Sequence, residues 1–202
     1  RERPPSRVGL KEVFMLTKIT MATSNDKKVQ GVKNILGIEV EKITLDLPEI
    51  QSVNIEEVVT FSAKDAYSKA GKPVLVNDTG FYIDAWKGLP GALITWFTKY
   101  TVKVDGLLKM LETEENRKAT AKTAYAFFDG KDVHMFIGEI TGTLTKEERG
   151  TNGFEWDSIF IPNGYNKTFS EMLPEEKDAV PYYKSALLKL KEFIEVNPQY
   201  NI

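Results

Sequence analysis

Asp78 sits in Asn77-Asp78-Thr79-Gly80, directly after the apolar run Val74-Leu75-Val76. The run reads as a buried strand. The polar residues after it read as the turn that stops it, with Gly80 free to take a positive φ. A carboxylate at the mouth of a buried strand is aimed by a rigid element and exposed by a loop, a common place for chemistry. The same residues would also make an ordinary hairpin turn. A second chemical stretch is Thr23-Ser24-Asn25-Asp26-Lys27-Lys28. It lies where a strand passes into a helix, so outward-pointing N–H groups and two lysines form either a phosphate site or an N-cap beside a solvated lysine pair. Asp46-Leu47-Pro48-Glu49 offers carboxylates after a strand, and Mg²⁺ sites use one or two such groups plus substrate phosphates. Phe154-Glu155-Trp156-Asp157 sets two aromatics beside acids, which suits a base-stacking slot or the entry of a core strand.

These groups need elements to position them. Ile19–Thr23 reads as a first core strand. Val29, Val32, Ile35 and Leu36 follow at helical spacing up to Gly37. Val40–Leu47 alternates as a second strand. Glu56–Ala70 reads as a helix carrying Lys64 and ending at Gly71, and the Val74 strand follows. Strand–helix–strand–helix–strand argues an α/β protein. Ala92–Tyr100 and Val104–Leu111 read as amphipathic packing helices. Ala119–Phe128 and Val133–Thr145 are strands joined at Asp129-Gly130, a hairpin signal. Lys177–Glu195 reads as the last helix.

Composition narrows the class. The chain has 202 residues, 42% hydrophobic and 28% charged, with net charge -2. That is ordinary for a globular protein and offers no overall attraction to a nucleic-acid polymer. No apolar run approaches the roughly 20 residues of a membrane helix, so no membrane association is expected. The absence of cysteine excludes disulfides and thiolate chemistry and fits a cytoplasmic, reducing location. His134 is the only histidine; it excludes a multi-histidine metal site and reads as a strand residue. Residues 1–17 are expected to be a partly disordered N-terminal extension without a secretory signal, 18–197 a single domain, and 198–202 a tail. The first residue is Arg1 rather than Met, which suggests a trimmed chain or a piece of a longer precursor.

Taken in order, these motifs resemble the inosine triphosphate pyrophosphatase family. Thr23 to Lys28 is similar to its Thr-Gly-Asn-x-x-Lys opening. Asp46 to Glu49 is similar to the segment with its acidic metal ligand. Asn77-Asp78-Thr79 followed by Gly88-Leu89-Pro90-Gly91 resembles its acid-Asp-Thr and Gly-Leu-Pro-Gly pair. Phe154 to Phe160 resembles its Phe-Gly-Trp-Asp-Pro-x-Phe. Lys177 falls at the lysine before the last helix, and the resemblance runs from roughly Ile19 to Phe193. It implies a long central mixed β-sheet flanked by helices, in two lobes with the active-site cleft between them, usually as a homodimer. It implies hydrolysis of a nucleoside triphosphate at the α-phosphorus, with Mg²⁺. Thr23, Asn25 and Lys28 would hold the triphosphate, with further phosphate contacts from Lys64 and Lys177. Glu49 would bind Mg²⁺, and Asp78 would bind the metal or activate water. Phe154 would stack on the base, with Trp156 and Asp157 shaping its pocket. Water attack of this kind needs charge neutralisation and in-line positioning rather than a covalent nucleophile.

The sequence departs from the family pattern at several places. Asn77 replaces an acid, which removes a charge expected at the metal site. Glu155 replaces a glycine beside the base slot. Pro181-Tyr182-Tyr183 replaces Ser-His-Arg, so the base-reading imidazole and guanidinium are exchanged for phenols, which cannot fork as arginine does. Tyr182 and Tyr183 are then expected to face the base, with relaxed or shifted selectivity. Three functions stay open: hydrolysis of inosine, deoxyinosine and xanthosine triphosphates, a less selective pyrophosphatase, and a non-enzymatic nucleotide-binding or interaction module.

Overall fold

Strand and helix alternate through the first part of the chain, and that alternation sets the sheet. The computed structural model describes residues 18–153, 155–197 and 200; the expected extension at 1–17, Phe154 and the rest of the 198–202 tail lie outside the described residues. β1 (Lys18–Ala22), α1 (Asp26–Leu36), β2 (Glu39–Ile43), α2 (Ile55–Ala70) and β3 (Val74–Ile83) come first. β4 (Pro90–Gly91), α3 (Lys103–Met110), β5 (Lys118–Phe128), β6 (Val133–Leu144) and β7 (Phe160–Pro162) follow, and α4 (Pro174–Ala179) and α5 (Pro181–Val196) close the chain. The strands make one seven-stranded mixed sheet in the order β2-β1-β3-β5-β6-β7, with β4 paired to β3. β1 runs parallel to β2 and β3, while β3, β5, β6 and β7 are antiparallel neighbours.

Burial divides this sheet into two halves. At the β1 end both faces are covered. Leu75, Met21, Phe127 and Phe136 pack under α1 and α5. Val74, Val76, Ala124 and Ala126 pack under α2, whose Ala63 and Ala66 are small enough for close approach. At the far end Phe81, Ile83, Ala119 and Leu144 build a third core with Leu107, Trp156, Phe160 and Phe169. β3 belongs to all of these cores. β1 pairs with it only at Met21 and Leu75, so β3 runs on past the end of β1, and residues 77–79 lie in the half-buried gap between the halves.

Several sequence expectations change here. β3 does not stop at Val76. It pairs with β5 residue for residue from Val74↔Phe128 to Ile83↔Ala119, so the backbone groups of Asn77 to Gly80 are used by the ladder and no hairpin turn forms. β2 ends at Ile43 rather than Leu47. The alternation beyond it is real, because Leu45 and Leu47 pack against the α2 core, but they join no strand ladder among the described residues. Residues Ala92–Tyr100 give a π-helical turn at Trp96–Tyr100 rather than a regular amphipathic helix. The last helix is broken at Val180. Proline has no N–H to donate and forces the residue before it out of the α region. Val180 is accordingly extended at φ -73 and ψ 120, and Pro181 starts α5. Among the described residues no helix is long and apolar enough to cross a membrane. His134 is a strand residue, as expected, with Nε2 3.0 Å from Asp129 Oδ2.

The seat of α5 on β6 depends on one glycine. A Cβ at Gly138 would lie 1.7 Å from the Tyr182 carbonyl oxygen. Gly138→Ala is therefore expected to cost about 1–3 kcal/mol by overpacking, a fall in melting temperature of several degrees for a chain of this size. A thermal melt followed by circular dichroism checks this; an unchanged midpoint would refute the close packing.

Candidate active site

The residues expected to hold phosphates start at the first turn of α1. Asn25 is the N-cap, and its Oδ1 accepts from the N–H of Lys27 (2.9 Å) and Lys28 (3.3 Å). Its own N–H donates to Thr23 Oγ1 at 3.1 Å. Thr23 and Asn25 therefore meet as expected, but the Asn25 carbonyl is engaged by the helix start and only its amide N–H₂ is left to meet a ligand. Lys28 leaves α1 towards β3, where its Nζ donates to the Asn77 carbonyl at 3.3 Å. Burial pulls its ammonium below the ordinary lysine value, against the charges of Asp78, Glu155 and Glu49.

Asp78 faces this lysine from the stretch of β3 that has lost its β1 neighbour. Burial raises its carboxyl above the usual carboxylate range. The Lys28 charge and the Thr79 N–H (2.7 Å) oppose the rise, while Glu49 and Glu155 add to it. Glu49 is exposed on the loop after β2, yet its charge reaches both Lys28 and Asp78. Successive residues of a strand point to opposite faces, and Asn77 shows it. Its amide donates to Thr123 Oγ1 (2.9 Å) and to the Ala124 carbonyl (3.0 Å). A carboxylate there could accept but not donate, so the Asn77 amide fastens β3 to β5. Lys64 is not drawn into the cluster. It is exposed on α2 and makes no hydrogen bond or ion pair among the described residues.

The residues expected at the base lie on the loop after β6 and on α4 and α5. Asp157 is 5% exposed and pairs with Lys177 Nζ at 2.5 Å. Lys177 also lies 5.6 Å from the centre of the Phe169 ring. This lysine thus balances a buried carboxylate. Trp156 is a core residue rather than a pocket wall: its ring stacks on Phe81 at 4.5 Å and meets Phe160 edge-on. The two tyrosines separate. Tyr182 packs into the core that holds Trp156 and Phe169, its ring 5.8 Å from Phe169. Burial first, and then the Asp157 charge, push its phenol well above the ordinary value. Tyr183 packs with the other core and donates to Asp178 Oδ1 at 2.9 Å. Burial and that carboxylate push its phenol up to about 12. Only Tyr182 belongs to the Asp157 side. Phe154, the expected stacking residue, lies outside the described residues.

Thr95 and Thr98 are additions that the sequence did not single out. Glu155 Oε2 lies 3.2 Å from Thr98 Oγ1 and 3.5 Å from Thr95 Oγ1. A threonine pair i, i+3 on an amphipathic segment carries no signal until its partner is known.

The arrangement suits a magnesium-bound polyphosphate. No group of three or more His, Cys, Asp or Glu among the described residues could hold a metal as a ready-made cage. Mg²⁺ asks for less, since one or two carboxylates suffice when phosphate oxygens and water complete its shell. Glu49 and Asp78 are two of the carboxylates whose charges reach Lys28.

Comparison with known proteins covers nearly the whole chain. The Ham1 family profile matches residues 19–193. A dITP/XTP pyrophosphatase of Pyrococcus horikoshii is 39% identical over 187 residues, covering 91% of this chain and 100% of that one. An inosine triphosphate pyrophosphatase of Schizosaccharomyces pombe is 38% identical over 185 residues, covering 90% and 97%. The solved structure of the Staphylococcus aureus Ham1 protein superposes with a TM-score of 0.80 at 23% identity, over 89% of this chain and 99% of that one, and so matches the fold.

Proposed function

The chain belongs to the Ham1 family, and from that premise we propose that it hydrolyses non-standard purine nucleoside triphosphates (inosine, deoxyinosine and xanthosine triphosphates) to the monophosphate and pyrophosphate. Such an enzyme clears the nucleotide pool. One observation carries the reading: Lys28 and Asp78 face each other where β3 runs past the end of β1, with Glu49 and the first turn of α1 beside them. Sites of α/β sheets form at such a point, beyond the ends of strands.

Thr23, the Asn25 amide and Lys28 hold the phosphates. Water attacks the α-phosphorus, the bond to the bridging oxygen breaks, and pyrophosphate leaves. Asp78 orients that water and takes its proton, a task that the raised carboxyl suits, because a carboxyl raised towards the working pH is a stronger base. Glu49 would hold Mg²⁺ together with phosphate oxygens and water, and the ion would supply charge neutralisation to those oxygens. Lys177 fixes Asp157 at the base end. A homodimer, supported by the family resemblance alone, completes the proposal.

The base reader supports weaker selectivity than the family pattern. Tyr183 is engaged with Asp178, so Tyr182 remains as the single phenol on the Asp157 side. Pyrophosphate release with Mg²⁺ tests the proposal across inosine, deoxyinosine, xanthosine, adenosine, guanosine and thymidine triphosphates. One monophosphate and one pyrophosphate per turnover are expected, with inosine and xanthosine triphosphates favoured over adenosine triphosphate by about tenfold, the worth of one hydrogen bond of ordinary strength. Release of orthophosphate, or nucleotide binding without turnover, would refute it.

A further inference from the structure

The sheet face that carries Asp78 continues beyond it, and the reaction above gives that continuation no task. Successive residues of a strand point to opposite faces, so Val74, Val76, Asp78, Gly80 and Tyr82 share one face of β3. The ladder sets Ala124 beside Asp78 and Lys122 beside Gly80, with Glu139 of β6 next to Lys122. Residues directly opposite each other across a ladder lie on the same face. In one direction from Asp78 this face is closed, because Val76 and Ala126 are buried under α2. In the other it opens: Lys122 is half-buried and Glu139 is exposed.

Tyr82 shapes the open side. Its ring folds back over Gly80, where a Cβ would lie 2.8 Å from Tyr82 Cε2 and 3.0 Å from the hydroxyl oxygen. That oxygen accepts from the N–H of Ile55 at 3.0 Å, so the loop that carries Glu49 ends on this part of the face. Lys122 Nζ sits 5.5 Å from the centre of the Tyr82 ring, within the range at which a ring face attracts a cation. The ammonium is thereby held beside the row next to Asp78, where diagonal neighbours are about 7–8 Å apart. Lys118, the other cation of β5 on this face, lies two rows further out. The ion pair of Lys122 with Glu139, at 3.2 Å, is of the weak exposed kind and yields to a group with several charges.

Building on the proposed hydrolysis, we infer that Lys122 holds the departing pyrophosphate. A phosphate chain lying across Asp78 meets Lys28 on one side and Lys122 on the other, since α2 closes the remaining direction. As the water oxygen bonds to the α-phosphorus, the bond to the bridging oxygen breaks and its electron pair stays on that oxygen. The pyrophosphate gains charge as it leaves, and a fixed cation placed where charge develops stabilises the transition state. Tyr82 acts as a positioning residue, because its ring seats the ammonium.

The test titrates magnesium pyrophosphate and, separately, inosine monophosphate into the parent, Lys122→Met, Lys122→Arg and Glu139→Gln, followed by calorimetry. Lys122→Met is expected to weaken pyrophosphate binding by about 10- to 100-fold, the worth of a charged hydrogen bond, and to leave inosine monophosphate unchanged. Lys122→Arg keeps the charge and should stay within a few-fold of the parent. Glu139→Gln frees the ammonium and should tighten pyrophosphate by up to about fivefold. Pyrophosphate binding unmoved by Lys122→Met overturns the inference. Equal weakening of both ligands overturns it too, and with a lowered melting temperature assigns Lys122 to the fold. The titration needs no turnover: a parent that binds pyrophosphate through Lys122 yet releases none from any nucleotide would refute the hydrolysis and leave this site standing.

Discussion

Asp78→Asn is expected to lower pyrophosphate release by about a thousandfold or more, within the range for removing a general base and a charge at the reacting centre, while the protein stays folded. The amide is nearly isosteric, and its carbonyl oxygen still accepts the 2.7 Å bond from the Thr79 N–H. Stability should move the other way from activity. Burial raises the Asp78 carboxyl above its ordinary value. A raised carboxyl favours folding fully below its unfolded value, and that contribution is lost as pH rises through the folded one. Near neutral pH the ionised group therefore opposes folding, and an uncharged amide relieves it. The melting temperature of Asp78→Asn at pH 7 is expected to equal or exceed that of the parent, and the difference should vanish in acid. Turnover within tenfold of the parent would remove Asp78 from its assigned role. A large fall in melting temperature would mean the residue serves the fold instead.

The sequence made the alternating first half legible because its apolar spacings are regular and its helix stops are explicit. Gly37 and Gly71 both cap their helices in the left-handed conformation, at φ 70 and φ 67. The polar run Asn77 to Gly80 was misread for a physical reason. Turn residues signal a turn only when no strand competes for their backbone, and the eleven-residue β5 does so here. Local pattern also cannot say which face of a strand is occupied. Asn77 and Asp78 are neighbours in sequence, yet one donates across to β5 and the other faces Lys28. The same limit applies to the tyrosines. Tyr182 and Tyr183 both fell at base-reading positions, but adjacent residues of a helix lie about 100° apart, and only the packing of α5 decides that Tyr183 turns to Asp178. Trp156 and Lys177 stand at motif positions, and packing adds what each touches, Phe81 and Phe160 for one and Asp157 for the other; a motif records which residue recurs and not what it contacts.

Lys28→Met should reveal whether Lys28 and Asp78 work as a pair. Removing the ammonium takes away charge stabilisation for the phosphates, and kcat/KM is expected to fall by about a hundredfold to a thousandfold. A second effect separates pairing from simple phosphate binding. The Lys28 charge is the largest influence holding the Asp78 carboxyl down. Without it, burial acts against the Thr79 N–H alone, with Glu49 and Glu155 adding to the rise. The acid limb of the pH dependence of kcat/KM should therefore move to higher pH in Lys28→Met. Lys28→Arg keeps the charge and should leave the limb near its parent position, even where its bulk lowers the rate. An acid limb unmoved by the methionine would mean that Lys28 serves the substrate's phosphates and that Asp78 is set by burial alone. A limb that moves would tie the base to the lysine, because the group that neutralises the phosphates would then also keep Asp78 ionised at the pH where it must accept a proton.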